Sequence, residues 1–193
     1  MVEQKSRRRP RLSSEDWVRA AADALGRHGV SGVAVEPLAD ELGVTKGSFY
    51  SHFRDRDELL RSALATWRDA EAARVAELRS GSDSAAGSLD AVVGDMFGND
   101  SAGRAFAHVC AAGADSSVAP YALEHALAKV GVVAELLVAD GMPPTQAEKT
   151  ADLLYTAYIG YWRIKSMAPP GDSEILPGYL QNLKETLLPR SCD

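Results

Sequence analysis

The apolar residues of this chain recur every three or four positions, and this spacing constrains the fold more than any other feature. It is the period of a helix with one buried face, whereas a strand requires an alternation that persists nowhere in the sequence. With hydrophobic residues at 46%, such helices can bury a substantial core. We therefore expect an all-α protein.

Capping residues, glycines and prolines set the predicted helix boundaries. Ser13 and Asp16 have the spacing of a helix cap, and Gly29 and Gly43 that of helix stops. Residues 80–88, rich in glycine and serine, are interpreted as a linker. The predicted helices span about 14–28, 35–42, 45–52, 55–78, 89–97, 102–112, 119–139, 145–167 and 173–188.

Charge is distributed unevenly along the chain. The net charge is −6, and residues 61–193 account for all of it, with 11 basic and 17 acidic residues. Residues 1–60 hold 10 of each sign, and residues 5–11 carry five positive charges and no acid. An acidic body with a basic arm indicates that one end of the protein meets a polyanion.

Several classes of protein are excluded by the sequence pattern. Cys110 and Cys192 fit neither a disulfide framework nor a metal site. The longest apolar stretch, 130–139, is too short to span a bilayer, and no secretory signal is visible, so we expect a cytoplasmic protein. No nucleophile elbow, phosphate loop or carboxylate dyad is present, which argues against an enzyme, and we expect no cofactor and no metal.

The second and third predicted helices have the spacing of a helix-turn-helix. Ala39 is small enough for the two helices to cross closely, and Gly43 can adopt the left-handed turn between them. Leu38 and Phe49 would contribute to a core shared with the first helix. The outer face of the third helix would then be free to enter the major groove of DNA.

The stretch GVTKGSFYSHFRDRDELL, residues 43–60, closely resembles the recognition-helix signature of the TetR family, and the wider resemblance covers residues 12–64. It implies a basic flexible arm over 1–12, a three-helix DNA-binding domain over 13–58, and a helical ligand-binding and dimerisation domain over 59–193. The implied function is a transcriptional regulator that binds palindromic operator DNA as a homodimer. As in most of the family, it would act as a repressor released by a small apolar or aromatic effector.

The resemblance also indicates which residues contact DNA. Thr45 is expected to cap the third helix through its side-chain oxygen, and Lys46 to reach a phosphate or a guanine edge. Gly47 would let the backbone approach the groove, while Ser48 and Tyr50 would bond base edges or phosphates. Further phosphate contacts are predicted for His52, Arg54, Arg56, Arg8, Arg9 and Arg11.

Other roles for these residues stay open at this point. Tyr50 and His52 can instead pack between helices, Arg54 and Arg56 can be solvated turn residues, and the arm can serve solubility only. One departure from the family is visible, since Ala34 stands where a hydroxyl usually caps the second helix. Glu36 would also repel phosphate, so we expect modest affinity per monomer.

The last two long helices, about 145–167 and 173–188, are expected to form the homodimer interface, as in the family. On the first of them, Leu154 and Tyr158 fall on one apolar side, and Leu153 and Ile164 on another. A helix with two apolar faces can pack on its own core and on a partner. The alternative is a fully buried helix in a monomer.

A pocket lined by soft and aromatic side chains of the body would suit the effector, although each of them can also be plain core. The acidic residues Asp69, Glu71, Glu77 and Asp83 are interpreted as a solvated face. Effector binding would move the helix that starts near Asp55 and so change the separation of the two recognition helices. The alternatives are a ligand-independent dimeric DNA-binding module and an activator. The predicted ligand-binding residues are Trp67, Met96, Phe97, Phe106, Cys110, Tyr121, Tyr155, Tyr158 and Trp162.

Overall fold

The computed structural model describes residues 12–112, 117–167, 176 and 178–188. Within these ranges the chain forms nine α-helices and no strand, which confirms the predicted all-α fold. The predicted bounds of α1, α2 and α7 are met residue for residue. The helices are α1 Ser14–His28, α2 Val35–Leu42, α3 Lys46–Phe49, α4 Arg56–Ser80, α5 Ala85–Gly98, α6 Asp100–Ala111, α7 Ala119–Ala139, α8 Pro144–Lys165 and α9 Tyr179–Leu187.

The predicted linker over residues 80–88 was wrong in its second half. The Ser84 side chain accepts a hydrogen bond from the Gly87 N–H at 3.0 Å, so α5 begins at Ala85. The Ser88 hydroxyl donates to the Arg79 carbonyl at 3.0 Å and holds the turn closed. Glycine and serine have the composition of a loop, but a serine cap can also start a helix.

Other predicted boundaries also differ from the structure. The third helix, predicted over about 45–52, is confined to Lys46–Phe49. The predicted break after Gly98 is only one residue long, because the Asn99 side chain accepts from the Ala102 N–H and starts α6 at once. The predicted helix over 173–188 begins at Tyr179 among the described residues. Residues 168–175 and 177 lie outside the described ranges.

Local interactions explain how α1 begins and how α2 ends. Ser13 and Asp16 form a reciprocal capping box, in which the Ser13 N–H donates to Asp16 at 2.9 Å. Gly43 ends α2 with a φ of 67°, in the left-handed region that residues with a side chain rarely occupy. The helix-turn-helix therefore turns sharply where the sequence predicts it.

The helices bury two apolar cores, which meet at α4 and α6. The N-terminal core is formed mainly by α1 to α4 around Trp17 and Phe49, and the body core by α5 to α8. Val109 of α6 belongs to the N-terminal core, while Trp67 of α4 packs against both. Because α4 is continuous from Arg56 to Ser80, one helix connects the two cores, and the predicted division after residue 58 falls in its first turn.

Candidate nucleic-acid interface and ligand cleft

Helix α3 is anchored by a fully buried aromatic side chain. The Phe49 ring centroid lies 5.5 Å from that of Trp17 and 5.6 Å from that of Phe53, in edge and stacked arrangements respectively. Phe49 is 0% exposed and Phe53 is 6% exposed, so both are core residues, as the sequence predicts. With this side of α3 buried, its opposite side faces solvent.

The predicted DNA contacts of α3 lie together on that outer side. Thr45, Lys46 and Gly47 are exposed, Tyr50 is 59% exposed, and Ser48 is half-buried. A Cβ placed on Gly47 would meet only the Thr45 Oγ1, at 3.7 Å, so the space outside the helix is open.

The cap predicted for Thr45 was wrong. Its side chain accepts no hydrogen bond from the helix, and its backbone carbonyl instead accepts from the Ser48 N–H at 2.9 Å. The helix has only a single turn, and this backbone bond closes it. The Thr45 hydroxyl is therefore left without a capping role at an exposed position.

The remaining predicted contacts are less uniform. Arg54 follows α3 with a side chain that is 76% exposed and bonded to Asp55 at 2.9 Å. His52 is half-buried beside it. Arg8, Arg9 and Arg11 lie outside the described residues. All these contacts stay predictions.

An ion pair occupies the start of the candidate interface. Lys46 Nζ lies 2.7 Å from Glu36 Oε1, and both side chains are more than half exposed. Their hydrogen bond raises the pKa of Lys46 and lowers the pKa of Glu36. Ala34, the residue at the N-cap of α2, makes no side-chain capping bond. A DNA phosphate would have to compete with Glu36 for Lys46.

Arg56 has a different geometry from the exposed phosphate clamp predicted for it. Its Nε donates to the Val33 carbonyl at 2.7 Å, and its Nη2 donates to the Val30 carbonyl at 2.6 Å. These bonds fix the turn between α1 and α2 against the start of α4. Nη1, which lies 3.5 Å from Asp57, and the second N–H of Nη2 are left for a partner outside the domain.

Replacing Arg56 with alanine is expected to lower the free energy of unfolding by about 2 kcal/mol, because two partly buried carbonyls lose charged donors. Urea denaturation followed by circular dichroism measures the change. Arg54→Ala is the matched control, and its unfolding midpoint should stay that of the wild type because its side chain is exposed. Equal effects of the two substitutions would contradict the structural role of Arg56.

A second site lies in the body, where an apolar cleft of about 640 Å³ separates α4 from α7. Alanines and valines form most of its walls, and charged side chains stand at its rim and base. This volume is within the range typical of small-molecule pockets. The lining residues are Arg68, Glu71, Ala72, Val75, Ala76, Arg79, Ser80, Glu124, His125, Ala128, Lys129 and Val132.

Three polar side chains form the base of the cleft. Lys129 Nζ lies 3.1 Å from Glu71 Oε2, and these side chains are only 7% and 12% exposed. His125 is 3% exposed, and neither ring nitrogen has a hydrogen-bond partner. Its Nε2 lies 3.7 Å from Glu71 Oε2, which is too far for a hydrogen bond. The base therefore has unsatisfied hydrogen-bonding capacity.

Burial and the neighbouring charges set the ionisation of this base. Burial lowers the pKa of His125 and favours its neutral form. Burial would raise the pKa of Glu71, but the adjacent His125 and Lys129 outweigh it and hold that pKa at about 2. At neutral pH the base therefore contains a carboxylate, an ammonium and a neutral imidazole.

None of the predicted ligand-binding residues lines this cleft. Trp162, Tyr158, Phe106, Met96 and Phe97 are at most 3% exposed in the body core, and Tyr155 is 8% exposed. Cys110 is partly buried, and burial raises the pKa of its thiol to about 11. Beside Arg61, Tyr121 lines an adjoining polar cleft, which shares Arg68 and Glu124 with the first cleft.

The nearest of these aromatic residues lie one layer behind the cleft. The rings of Trp67 and Phe106 stack on His125 with centroids at 4.8 and 4.9 Å. Lys129 Nζ lies 5.2 Å from the centroid of the Tyr158 ring. Their role in binding a ligand stays a prediction, and it would act through His125 and Lys129.

The sequence interpretation missed Glu71, His125 and Lys129 as site residues, and it placed Glu71 on a solvated face, which was wrong. A signal was present in the sequence. His125 and Lys129 are four residues apart on α7, at positions that the helical period assigns to the buried face together with Val133. Charged residues at such positions need a partner, and here the partner of Lys129 is Glu71.

Two kinds of feature are absent from the described residues. These residues contain no group of three or more histidine, cysteine, aspartate or glutamate side chains placed to hold a metal ion. None of their helices combines the length and apolar character that crossing a membrane requires.

The N-terminal part of the chain is similar to a known protein family. The profile of the family described as "Bacterial regulatory proteins, tetR family" matches residues 18–63. An HTH-type transcriptional regulator of Saccharopolyspora erythraea is 34% identical over 91 residues. That match covers 40% of this chain and spans 39% of the length of the relative.

Similar folds extend over nearly the whole chain. A transcriptional regulator of Rhodococcus sp. Rha1 is 24% identical with a TM-score of 0.69, covering 91% of this chain and 94% of its own. A TetR family regulator of Agrobacterium tumefaciens is 17% identical with a TM-score of 0.77. The match covers 91% of this chain and 97% of the Agrobacterium chain. At these identities the likeness shows a shared fold. The family match over residues 18–63 adds that the helix-turn-helix of this chain is similar to that of TetR family regulators.

Proposed function

We propose that this protein binds palindromic operator DNA as a homodimer and represses transcription until a small molecule enters its body. The observation that carries the proposal is the geometry of α3, whose buried Phe49 turns Lys46 and Tyr50 outward on an open surface. A short helix presented in this way is suited to the major groove. Lys46 supplies a positive charge for phosphate, and Tyr50 a hydroxyl.

The dimer interface is proposed on α8 and α9. Leu153 and Ile164 of α8 are 56% and 45% exposed, while Leu154 and Tyr158 on the opposite side are buried. An apolar groove of about 380 Å³ runs between Leu153 and α9. Exposed leucine and isoleucine on a long helix favour association with a second copy, which also supplies the second recognition helix.

Sensing by the body is supported by the cleft between α4 and α7. A ligand-independent DNA-binding module has no need for a cleft of about 640 Å³ with a buried, unpaired histidine at its base. Because Trp67 of α4 stacks on that histidine and packs against the N-terminal core, a ligand in the cleft is close to the helix that carries the DNA-binding domain.

The DNA-binding proposal is tested by selecting bound duplexes from a random pool and measuring affinity for the selected site at several salt concentrations. We expect an inverted repeat. Lys46→Ala should weaken binding several-fold and reduce the salt slope by about 1, and Tyr50→Ala should also weaken binding. Arg104→Ala is a control with the same charge change on α6. An unselective protein, or variants that bind like the wild type, would overturn the proposal.

The sign of regulation is tested with a reporter whose promoter overlaps the selected site. Expression should fall when the protein is present. An increase in expression would show an activator and refute the repressor part of the proposal, while the DNA-binding part would stand. Unchanged operator affinity upon addition of a molecule that demonstrably binds the body would refute sensing.

Replacing Glu36 with glutamine is expected to raise affinity for duplex DNA several-fold and to steepen the salt dependence. The substitution removes a negative charge from the interface and frees Lys46 for a phosphate. Filter binding or fluorescence anisotropy against salt concentration measures both effects. Glu41→Gln is the matched control, since it makes the same charge change at the other end of α2, where Glu41 pairs with Arg27 at 3.0 Å. Equal gains in both variants would mean that net charge alone is responsible.

A further inference from the structure

The base of the cleft between α4 and α7 has hydrogen-bonding groups that the protein itself leaves unsatisfied. A neutral imidazole has one donor and one acceptor, and in His125 both are buried without a partner. Since buried polar groups in folded proteins are nearly always paired, an unpaired histidine beside a cleft points to a group that arrives from outside. The aromatic stacking on His125 leaves the edge of its ring, with the nitrogens, for such a group.

The charges around the cleft are already neutralised by one another. At the rim, Arg68 lies 3.2 Å from Glu124, and Arg79 lies 3.1 Å from Glu135. At the base, Lys129 is paired with Glu71. A charged head group at the base would have to separate the buried pair of Lys129 and Glu71 in order to find a counter-charge. The electrostatics therefore favour a ligand without net charge.

The walls between rim and base select an apolar ligand body. On α4 they consist of Ala72, Val75 and Ala76, and on α7 of Ala128 and Val132. Small and branched aliphatic side chains of this kind offer contact area but no hydrogen bonds. A molecule in the cleft would thus bury an apolar body along the walls and a polar head at the base.

We propose that this cleft is the effector site and that it binds a neutral, mainly apolar molecule carrying a hydroxyl head, such as a phenol or an alcohol. The hydroxyl lies beside His125 and Glu71, donating a hydrogen bond to one and accepting from the imidazole or from Lys129. His125 Nε2 and Glu71 Oε2 are 3.7 Å apart, too far for a hydrogen bond to each other, so a hydroxyl could bond to both. The inference rests on the proposed sensing function, since it names the ligand class of that same site.

The selectivity of the site is tested by calorimetry on the free, full-length protein with three probes that share one apolar body: 4-butylphenol, 4-butylanisole and 4-butylbenzoate. We expect the phenol to bind about tenfold more tightly than either of the others, because only it is neutral and can both donate and accept. Tightest binding of the benzoate, equal binding of phenol and ether, or no heat from any probe would overturn the proposal. Since no DNA is present, failure here is distinct from failure of operator binding.

Two kinds of variant locate the site. His125→Phe should keep the aromatic stack while removing both nitrogens, so that the preference for phenol over ether falls to within about twofold. Ala76→Trp should block the cleft and abolish phenol binding. Ala73 is also an exposed alanine of α4 but does not line the cleft, so Ala73→Trp should bind phenol like the wild type. An unchanged phenol preference in His125→Phe, or equal binding by the two tryptophan variants, would refute this site.

Discussion

Replacing Gly103 with alanine is expected to lower the free energy of unfolding by about 3 kcal/mol, the upper end of the range for overpacking a core. A Cβ built on Gly103 would lie 1.9 Å from Cε2 and 2.1 Å from Cζ2 of Trp162. The indole cannot withdraw easily, because it is 0% exposed and its N–H donates to the Met96 carbonyl at 2.8 Å. Helix α6 must therefore move away from α8.

Chemical denaturation of the wild type and Gly103→Ala measures this effect. Gly94→Ala in α5 is the matched control, because a Cβ at Gly94 has no heavy atom within 4 Å. In a helix with room for the methyl group, alanine should raise the stability by about 0.5 kcal/mol. A Gly103→Ala variant as stable as Gly94→Ala would mean that α6 and α8 are not in the close contact described here.

Replacing Lys129 with methionine is expected to lower the stability at neutral pH by about 3 kcal/mol, because a buried carboxylate loses its counter-charge. Glu71 and Lys129 are 12% and 7% exposed, so solvent screens the pair only weakly. Urea denaturation measures the loss. Combining the change with Glu71→Gln should restore most of the stability, since the unpaired charge disappears with its partner.

The same pair predicts a pH dependence. The pKa of Glu71 is held at about 2 in the folded protein, below its ordinary value of 4.5. A depressed carboxyl pKa stabilises the folded state above pH 4.5, and this contribution is lost as the pH falls from about 4.5 to about 2. Without Lys129 that pKa is depressed less, so the variant loses less stability over the same pH interval. The stability gap between wild type and Lys129→Met should narrow below pH 4.5, and a constant gap would argue against the buried pair.

These predictions connect stability with sensing, because Lys129 and Glu71 also form the base of the proposed effector site. A neutral head group can use the spare hydrogen-bonding capacity of the base and leave the ion pair intact. An effector that separated the pair would leave each charge buried without its counter-charge, which is destabilising. The stability measurements and the choice among phenol, ether and benzoate thus report on the same three side chains.

Much of the N-terminal domain was predictable from local sequence. The capping box of Ser13 and Asp16, the left-handed Gly43 and the alternation of Phe49 and Phe53 with polar neighbours act over a few residues. The helical bounds of α1 and α2 and the outward direction of Lys46 and Tyr50 follow from them. The predicted Thr45 cap failed because competition between a side-chain and a backbone acceptor is decided by the exact geometry of one turn.

The fold class, the helix-turn-helix and the exposed surface of α3 follow from local sequence, since helix period, caps and glycine turns depend on neighbours along the chain. Which polar residues are buried, and which partner each one has, depends on how distant helices pack. Glu71 and Lys129 are 58 positions apart in the sequence, and Val33 and Arg56 are 23 positions apart. No periodicity within one helix encodes such pairings. The cleft between α4 and α7 exists because two distant helices diverge, while the aromatic residues that the sequence suggested for it fill the core behind.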